Sequence, residues 1–375
     1  MKFTIITHAI HKQECNKVYA YEPYVKEMKI CLKFVDKVRI VAPVSHEKYS
    51  SIESNYNSKN IVIDKIPSID ALTLTNKIKS LIKSPLIFRK IFKSMLWADH
   101  IHLRCPGNIG LLGCLVQILF PLKPKTVKYA GNWDPKSKQP FSYRMQKWLL
   151  SNTFLTRNCK VLVYGTWKNQ TKNIIPFFTA SYHQKEITSI PNKKLSSKIR
   201  CLFVGTFSEG KQPMLSVKVI EKLLQENYTI QLDMYGEGPE FKTVKTYLRK
   251  KNLEGSVFLH GNQSKEVVKE AYQKSHFLIF ISKSEGWPKV VAEAMFWGCL
   301  PISSKVSCVE KMLGNGSRGT VIAPNANSDE IIQILKRYIE NEDEYQQQVF
   351  NAKKWSQQYT LEKFEHEIKK LLLNE

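Results

Sequence analysis

Short apolar runs alternate with longer amphipathic stretches along the whole chain, most sharply in its second half. From "RCLFVG" (200–205) the pattern passes through a helix near 212–226, a strand at 230–236, a helix near 239–251 and a strand at 257–261. It continues with a helix near 264–274, a strand at 277–282, a helix at 288–297 and a strand at 300–304. Strands of this length separated by helical periods predict βαβ units and a doubly wound parallel sheet. The first half gives strands at 3–7, 37–43, 61–66, 100–105, 126–131 and 160–165, with helices between most of them. The polar, lysine-rich "IPNKKLSSKIR" (190–200) separates the two patterns. With 375 residues against a prior of roughly 100–200 per domain, the expected layout is a domain at 1–190, a linker at 191–199 and a domain at 200–350. Residues 351–375 read as helix, expected to return to the first domain.

Composition narrows the classes. The most apolar stretch, "IGLLGCLVQILFPL", has 14 residues, short of the ~20 a spanning helix needs, and predicts a buried helix. "MKFTIITHAIHK" reads as a strand and polar residues rather than a secretory signal. The eight cysteines (15, 31, 105, 114, 159, 201, 299, 308) show no zinc-site spacing and read as reduced core thiols of a cytoplasmic chain. The net charge of +24 is unevenly divided: residues 1–190 hold 30 Lys or Arg against 11 Asp or Glu, residues 191–375 hold 27 against 22. A field of that sign attracts phospholipid, lipid-linked phosphate or nucleic acid. Residues 72–97 interleave Lys77, Lys79, Lys83, Arg89, Lys90 and Lys93 with Leu, Ile and Phe and contain no acid. Such a segment suits peripheral attachment to an anionic membrane, here the inner face; the alternative is a solvated helix face broken at Pro85. A nucleic-acid binder would show a stacking platform or a recognised motif, and neither is present.

Candidate chemistry concentrates in "SKSEGWPKVVAEAMFWGCLP" (282–301). In an open α/β sheet, ligands bind beyond the carboxyl ends of the strands, and "KSEGWPK" is a loop in that position. Gly286 lets backbone approach a ligand, Pro288 suits a helix's first turn, and the amides there favour an anion. Glu285 would face whatever lies beside it. Glu293 sits among Val290, Val291, Ala292, Ala294, Met295 and Phe296, where a carboxylate is costly unless hydrogen-bonded. A sugar diol would satisfy it, as would a lysine or a capped loop. In "FVGTFSEGKQPM" (203–214) Lys211 opens a helix within reach of a phosphate at the sheet's end. "MYGEGPE" (234–240) is a Gly-rich turn that passes near a nucleotide base or only reverses the chain.

In this order, these pieces resemble the GT-B-fold, retaining glycosyltransferases of family 4, over about residues 200–325. The resemblance rests on Gly205 and Lys211, the "YGEGPE" turn, the glutamates seven residues apart in "SEGWPKVVAEAMFWGCLPI", and "GNGSRGTVIAPN" (314–325). It implies two Rossmann-like doubly wound domains facing each other across a cleft. It also implies transfer of a sugar from a nucleotide diphosphate sugar to a glycan or lipid-linked acceptor, in bacterial surface polysaccharide synthesis. Glu285 would then contact the transferred sugar and Glu293 the ribose. Gly205, Thr206, Gly236, Gly286, Trp287, Pro288 and Lys289 would border the donor, and Lys211 would neutralise the departing diphosphate. There is no Asp-x-Asp motif at a strand end, so catalysis without metal or cofactor is expected.

Two departures stand out. Thr206 occupies the family's usual arginine position, and "THAIHKQECNK" replaces its N-terminal glycine pair. His8, His11, Lys12 or Arg104 are candidates for the missing contact. Arg104, Asn108, Asn132 and Asp134 follow strands in the acceptor half, where turn chemistry is the alternative reading. Alternative activities are nucleotide-sugar epimerisation on the same fold, an inactive member, or binding of nucleic acid.

Overall fold

The computed structural model describes all residues except 15–16, 51, 59, 70–73, 189–192, 196–197 and 374–375. Two compact units divide the chain: Met1–Phe178 with Phe364–Glu375, and Thr179–Lys363.

In the first unit the strands are β1 (Lys2–Ile6), β2 (His11–Glu14), β3 (Lys17–Tyr21), β4 (Lys37–Ser45), β5 (Glu53–Asn55) and β6 (Ile61–Ile66). They continue with β7 (His100–Cys105), β8 (Lys125–Tyr129), β9 (Cys159–Tyr164) and β10 (Ile174–Phe177). Helices are α1 (Glu22–Leu32), α2 (Leu74–Trp97), α3 (Asn108–Val116) and α4 (Phe141–Ser151). The parallel body of the sheet runs β10-β9-β8-β7-β1-β4-β6. β1, β7, β8 and β9 are almost wholly buried, as strands covered on both faces are; β1 and β9 are mostly apolar, whereas β7 and β8 also bury His100, His102, Lys125, Thr126 and Lys128. Helix α3 packs between α2 and α4, and all three share a core with the sheet through Ile87, Ile91, Met95, Ile109, Val116 and Leu149. The 109–116 part of the apolar stretch forms the expected buried helix, held close to the sheet by Gly110 and Gly113.

Two features differ from the expectation. The segment after β1 contains strands the sequence pattern did not predict: β2 pairs in parallel with the end of β4 and antiparallel with β3, which pairs with β5. Pro85 lies inside α2 without ending it, because burial of Ile87, Ile91 and Met95 outweighs the one lost backbone bond.

The second unit holds β11 (Ile199–Val204), α5 (Pro213–Gln225), β12 (Ile230–Tyr235), α6 (Phe241–Lys250), β13 (Val257–Gly261) and α7 (Lys265–Lys274). It goes on with β14 (Phe277–Phe280), α8 (Lys289–Phe296), β15 (Leu300–Ser304), α9 (Val309–Met312) and β16 (Thr320–Ile322). Helices α10 (Ser328–Glu340), α11 (Glu342–Ser356) and α12 (Leu361–Leu373) complete the chain. All six strands are parallel in the order β13-β12-β11-β14-β15-β16. Counted from its own first strand this is 3-2-1-4-5-6, and the winding reverses between β11 and β14.

The unit boundary falls at Phe178/Thr179, ahead of the expected 191–199 linker, part of which lies outside the described residues. The cause is aromatic packing: the Tyr182 ring lies 5.0 Å from both Phe296, tilted, and Trp297, edge-on, and its carbonyl accepts from the Leu361 N–H at 2.9 Å. Residues 351–363 stay with the second unit, and the division falls within α12. From Phe364 onward the chain packs in the first unit, where Phe364 meets Phe177 at 5.5 Å and Phe178 at 5.9 Å. The seven described cysteines are buried and unbridged; Cys15 lies outside the described residues.

Candidate functional site

The second unit's switch point brings two loops together at the carboxyl end of its sheet. One leaves β11 and contains Gly205, Thr206 and the 3-10 turn Glu209–Lys211; the other leaves β14 and runs into α8. They are stitched by backbone and side chain: the Lys283 N–H donates to the Gly210 carbonyl at 2.9 Å, and Lys283 Nζ pairs with Glu209 at 2.6 Å. At the centre, Lys211 Nζ forms an ion pair with Glu285 Oε1 and lies 4.8 Å from the centre of the Phe280 ring. Both side chains are largely screened, at 24% and 12% exposure. An ion pair in such a site is stronger than one in open water and fixes both heads in one geometry. The structure thus joins the two residues that the sequence singled out for catalysis.

The loop after β14 is tied to the next strand as well. The Ser282 N–H donates to Ser304 Oγ at 2.8 Å, Ser304 Oγ donates to the Ser282 carbonyl at 2.6 Å, and Ser307 Oγ donates to the Gly286 carbonyl at 2.8 Å. Pro288 caps α8 from outside its first turn, where its carbonyl accepts from the Val291 N–H at 3.0 Å. Trp287 packs toward Trp355 and Tyr359, with ring centres 6.3 and 6.0 Å away. Thr206 is exposed.

Gly236 and Gly238 let the loop after β12 lie against the loop after β11. The Gly205 N–H donates to the Tyr235 carbonyl at 3.0 Å and the Phe207 N–H to the Glu237 carbonyl at 3.0 Å. Gly236 has φ +123°, and a Cβ there would stand 2.0 Å from the Gly205 carbonyl oxygen. The glycine therefore serves backbone contact inside the site.

Glu293, on α8, is half-buried. Its Oε1 accepts from Ser181 Oγ at 2.5 Å and its Oε2 from the Tyr272 hydroxyl at 3.3 Å. Burial, and then the charge of Glu293, push the Tyr272 hydroxyl well above its ordinary pKa, so it remains a donor. Ser181, Trp287, Lys289 and Tyr359 line a pocket beside this carboxylate. Sequence reasoning missed Ser181 and Tyr272. Ser181 lies in a loop without a motif, and Tyr272 follows the apolar period of α7, so it reads as core.

The candidates in the first unit resolve differently. His11 is wholly buried, with Nε2 against the Tyr56 hydroxyl and Nδ1 against the Ala9 carbonyl, both at 2.8 Å; burial holds its pKa down to about 4. It is a core histidine and not the expected anion contact. Arg104 is paired with Glu27 at 2.8 Å and Lys12 with Glu53 at 3.0 Å. Asn132 accepts from the Asp134 N–H at 2.9 Å and Asp134 from the Lys136 N–H at 2.8 Å, the turn chemistry of consecutive Asx residues. Asn108 begins α3. His8 is exposed beside Gly107, and desolvation followed by the charge of Arg104 lowers its pKa. Among the described residues no three His, Cys, Asp or Glu side chains are grouped to hold a metal ion.

Residues 184–355 match the family model described as "Glycosyl transferases group 1". Protein CapJ of Staphylococcus aureus is 25% identical over 360 residues, covering 92% of this chain and 88% of its own length. The lipopolysaccharide 1,6-galactosyltransferase of Salmonella typhimurium is 32% identical over 122 residues, 32% of this chain and 34% of that protein. Among solved structures, Anabaena HepE in complex with UDP superposes over 100% of both chains, with a TM-score of 0.71 at 13% identity. That likeness establishes the fold.

Proposed function

We propose, for a group 1 glycosyltransferase whose family signature occupies residues 184–355, that it moves a sugar from a nucleotide diphosphate sugar to a hydroxyl of a glycan or lipid-linked acceptor, with retention at the anomeric carbon. The observation that carries this reading is the Lys211–Glu285 pair where the winding of the second sheet reverses. A cation held there by a neighbouring carboxylate is placed to take the charge that develops on a departing diphosphate. The amides at the start of α8 add a second favourable field for that anion.

In the reaction so assigned, the bond from the anomeric carbon to the β-phosphate oxygen breaks. The acceptor oxygen bonds to the same carbon on the same face, and its proton passes to the leaving phosphate. Lys211 lowers the energy of the diphosphate as its charge grows, which acts on the transition state more than on the bound donor. Glu285 contacts the hydroxyls of the transferred sugar, and Glu293 accepts from the ribose hydroxyls. HepE with UDP and glucose bound supports a uridine diphosphate sugar as donor. The likeness to the Salmonella lipopolysaccharide 1,6-galactosyltransferase supports a bacterial surface glycan as product.

The test is product analysis with candidate uridine diphosphate sugars and a glycan acceptor extract. Transfer with the donor's anomeric configuration preserved is expected. Glu285→Ala and Lys211→Ala should each lower kcat by about 10²- to 10³-fold, as loss of one charge-stabilising group does. A donor isomerised without acceptor would mean epimerisation, and full activity in both variants would remove the assignment.

A further inference from the structure

We infer that Lys193 is a positioning residue for donor binding: its ammonium clamps the carboxyl-terminal ends of α7 and α8 and thereby sets the Tyr272–Glu293 contact. The inference rests on the donor reading above and adds a residue that takes no part in the transfer itself.

The clamp is a cage of backbone oxygens. Lys193 Nζ donates to the carbonyls of Ser275 at 2.6 Å, Tyr272 at 2.9 Å, Gly298 at 3.0 Å and Trp297 at 3.3 Å. Two of these oxygens belong to the end of α7 and two to the end of α8, and all lie 79 to 105 residues away in the chain. A helix end leaves its last carbonyls without intrahelical partners and carries a partial negative charge, and here two such ends converge on one cation. Helix α8 satisfies part of its end through Gly298, at φ +67°, whose N–H donates to the Met295 carbonyl at 3.2 Å. Helix α7 has no such glycine and ends at Ser275 in extended backbone. The next N–H, that of His276, would continue α7 by donating to the Tyr272 carbonyl, but it donates to the Arg200 carbonyl at 2.8 Å instead. The Tyr272 carbonyl is thereby left to Lys193.

The segment that delivers the ammonium is anchored by its own backbone. The Lys193 carbonyl accepts from Gln346 Nε2 at 2.8 Å, and the Leu195 N–H donates to Glu342 Oε1 at 3.2 Å. His276 Nε2 donates to the Lys194 carbonyl at 3.1 Å, while its Nδ1 accepts from the Arg200 N–H at 3.0 Å. Burial pushes the Lys193 pKa down to about 8, with Cys299 raising it and the charge of Lys353 lowering it further. At pH 7 the head therefore keeps its proton, and the cage holds a cation.

Both partners of the Tyr272–Glu293 contact are tied to this cage through the main chain. Tyr272 is bound by its own carbonyl, and Glu293 sits one turn before Trp297, whose N–H donates to the Glu293 carbonyl at 3.3 Å. The Tyr272 hydroxyl reaches Glu293 Oε2 at 3.3 Å, near the outer limit for a hydrogen bond. A slip of roughly a few tenths of an ångström between α7 and α8 would break it. One cation holding both helix ends prevents that slip.

The experiment measures UDP binding by calorimetry and amide exchange by mass spectrometry on the full chain, for the wild type, Lys193→Ala, Tyr272→Phe and the double variant. Lys193→Ala should weaken UDP about ten-fold, the worth of one hydrogen bond to a charged group. The double variant should also lose about ten-fold, not the roughly hundred-fold of independent losses. n-Propylammonium replaces the atoms removed from Cγ to Nζ, and in Lys193→Ala it should restore UDP affinity and slow exchange at residues 272–276 and 293–300. Tetramethylammonium, which has no N–H, should restore neither. Lys193→Met keeps the apolar stem and gives the same comparison of affinity and exchange should Lys193→Ala not fold. Undiminished UDP affinity without the ammonium, additive losses in the double variant, or equal restoration by tetramethylammonium would each overturn the inference. So would exchange restored without affinity, which would make Lys193 a helix cap and nothing more. A wild type that does not bind UDP would overturn the donor reading instead, and exchange in the ligand-free variants would still decide whether Lys193 holds the two helices.

Discussion

Two hydroxyls hold the carboxylate of Glu293 inside an apolar helix, and neither was visible in the local sequence. The run from Val290 to Phe296 announces only that a carboxylate there must be satisfied, because an unpaired one is expensive. The partners come from α7 and from the loop at 179–187, more than twenty and more than one hundred residues away in the chain. Under the proposed function these hydroxyls are positioning residues for the ribose. Tyr272→Phe and Ser181→Ala should each raise KM for the donor about ten-fold, the worth of a hydrogen bond to a charged group, while kcat stays within about two-fold. Steady-state rates with the donor varied check this; a fall in kcat at constant KM would mean that Glu293 acts on the reacting centre.

At the scale of elements, the second unit was readable almost strand by strand, and the first was not. Each βα step between 199 and 304 carries its own punctuation: a glycine after the strand, an apolar period in the helix, a new apolar run. The β2–β3 hairpin has no such punctuation, and its short polar strands are held by pairing with β4 and β5 rather than by an apolar pattern. Helix α2 passes through Pro85 because its buried stripe, a tertiary property, outweighs a local signal. The "YGEGPE" turn was correctly located, and its physical reason is contact between loops. Gly236→Ala would drive a Cβ into the Gly205 carbonyl at a φ that alanine disfavours. It should cost roughly 2–3 kcal/mol, read as a lower denaturant midpoint at unchanged slope. A neutral substitution would show that the two loops move apart freely.

Over the whole molecule, the sequence conveyed the two α/β units and their unequal charge, because periodicity and composition are summed over many residues. The division at Phe178/Thr179 was hidden, since it depends on Tyr182 finding Phe296 and Trp297. The same reason explains the candidate site. Lys211 and Glu285 lie on loops that belong to known strand ends, so topology alone brings them together. His11 and Arg104 also lie at strand ends, at the start of β2 and near the end of β7, but their surroundings include Tyr56 and Glu27, which no local pattern names. The central claim is therefore that the β11 and β14 loops of the second unit form a donor site around Lys211. Its most direct test is the melting temperature of the full chain across a panel of nucleoside diphosphate sugars, with Lys211→Ala measured beside the wild type. A ligand present at a hundred times its Kd stabilises the native state by about 2.7 kcal/mol, enough to move a cooperative transition clearly. The account predicts that at least one such sugar raises the wild-type melting temperature and leaves that of Lys211→Ala unmoved. A wild type indifferent to the whole panel, or a variant that keeps the full shift, would contradict it.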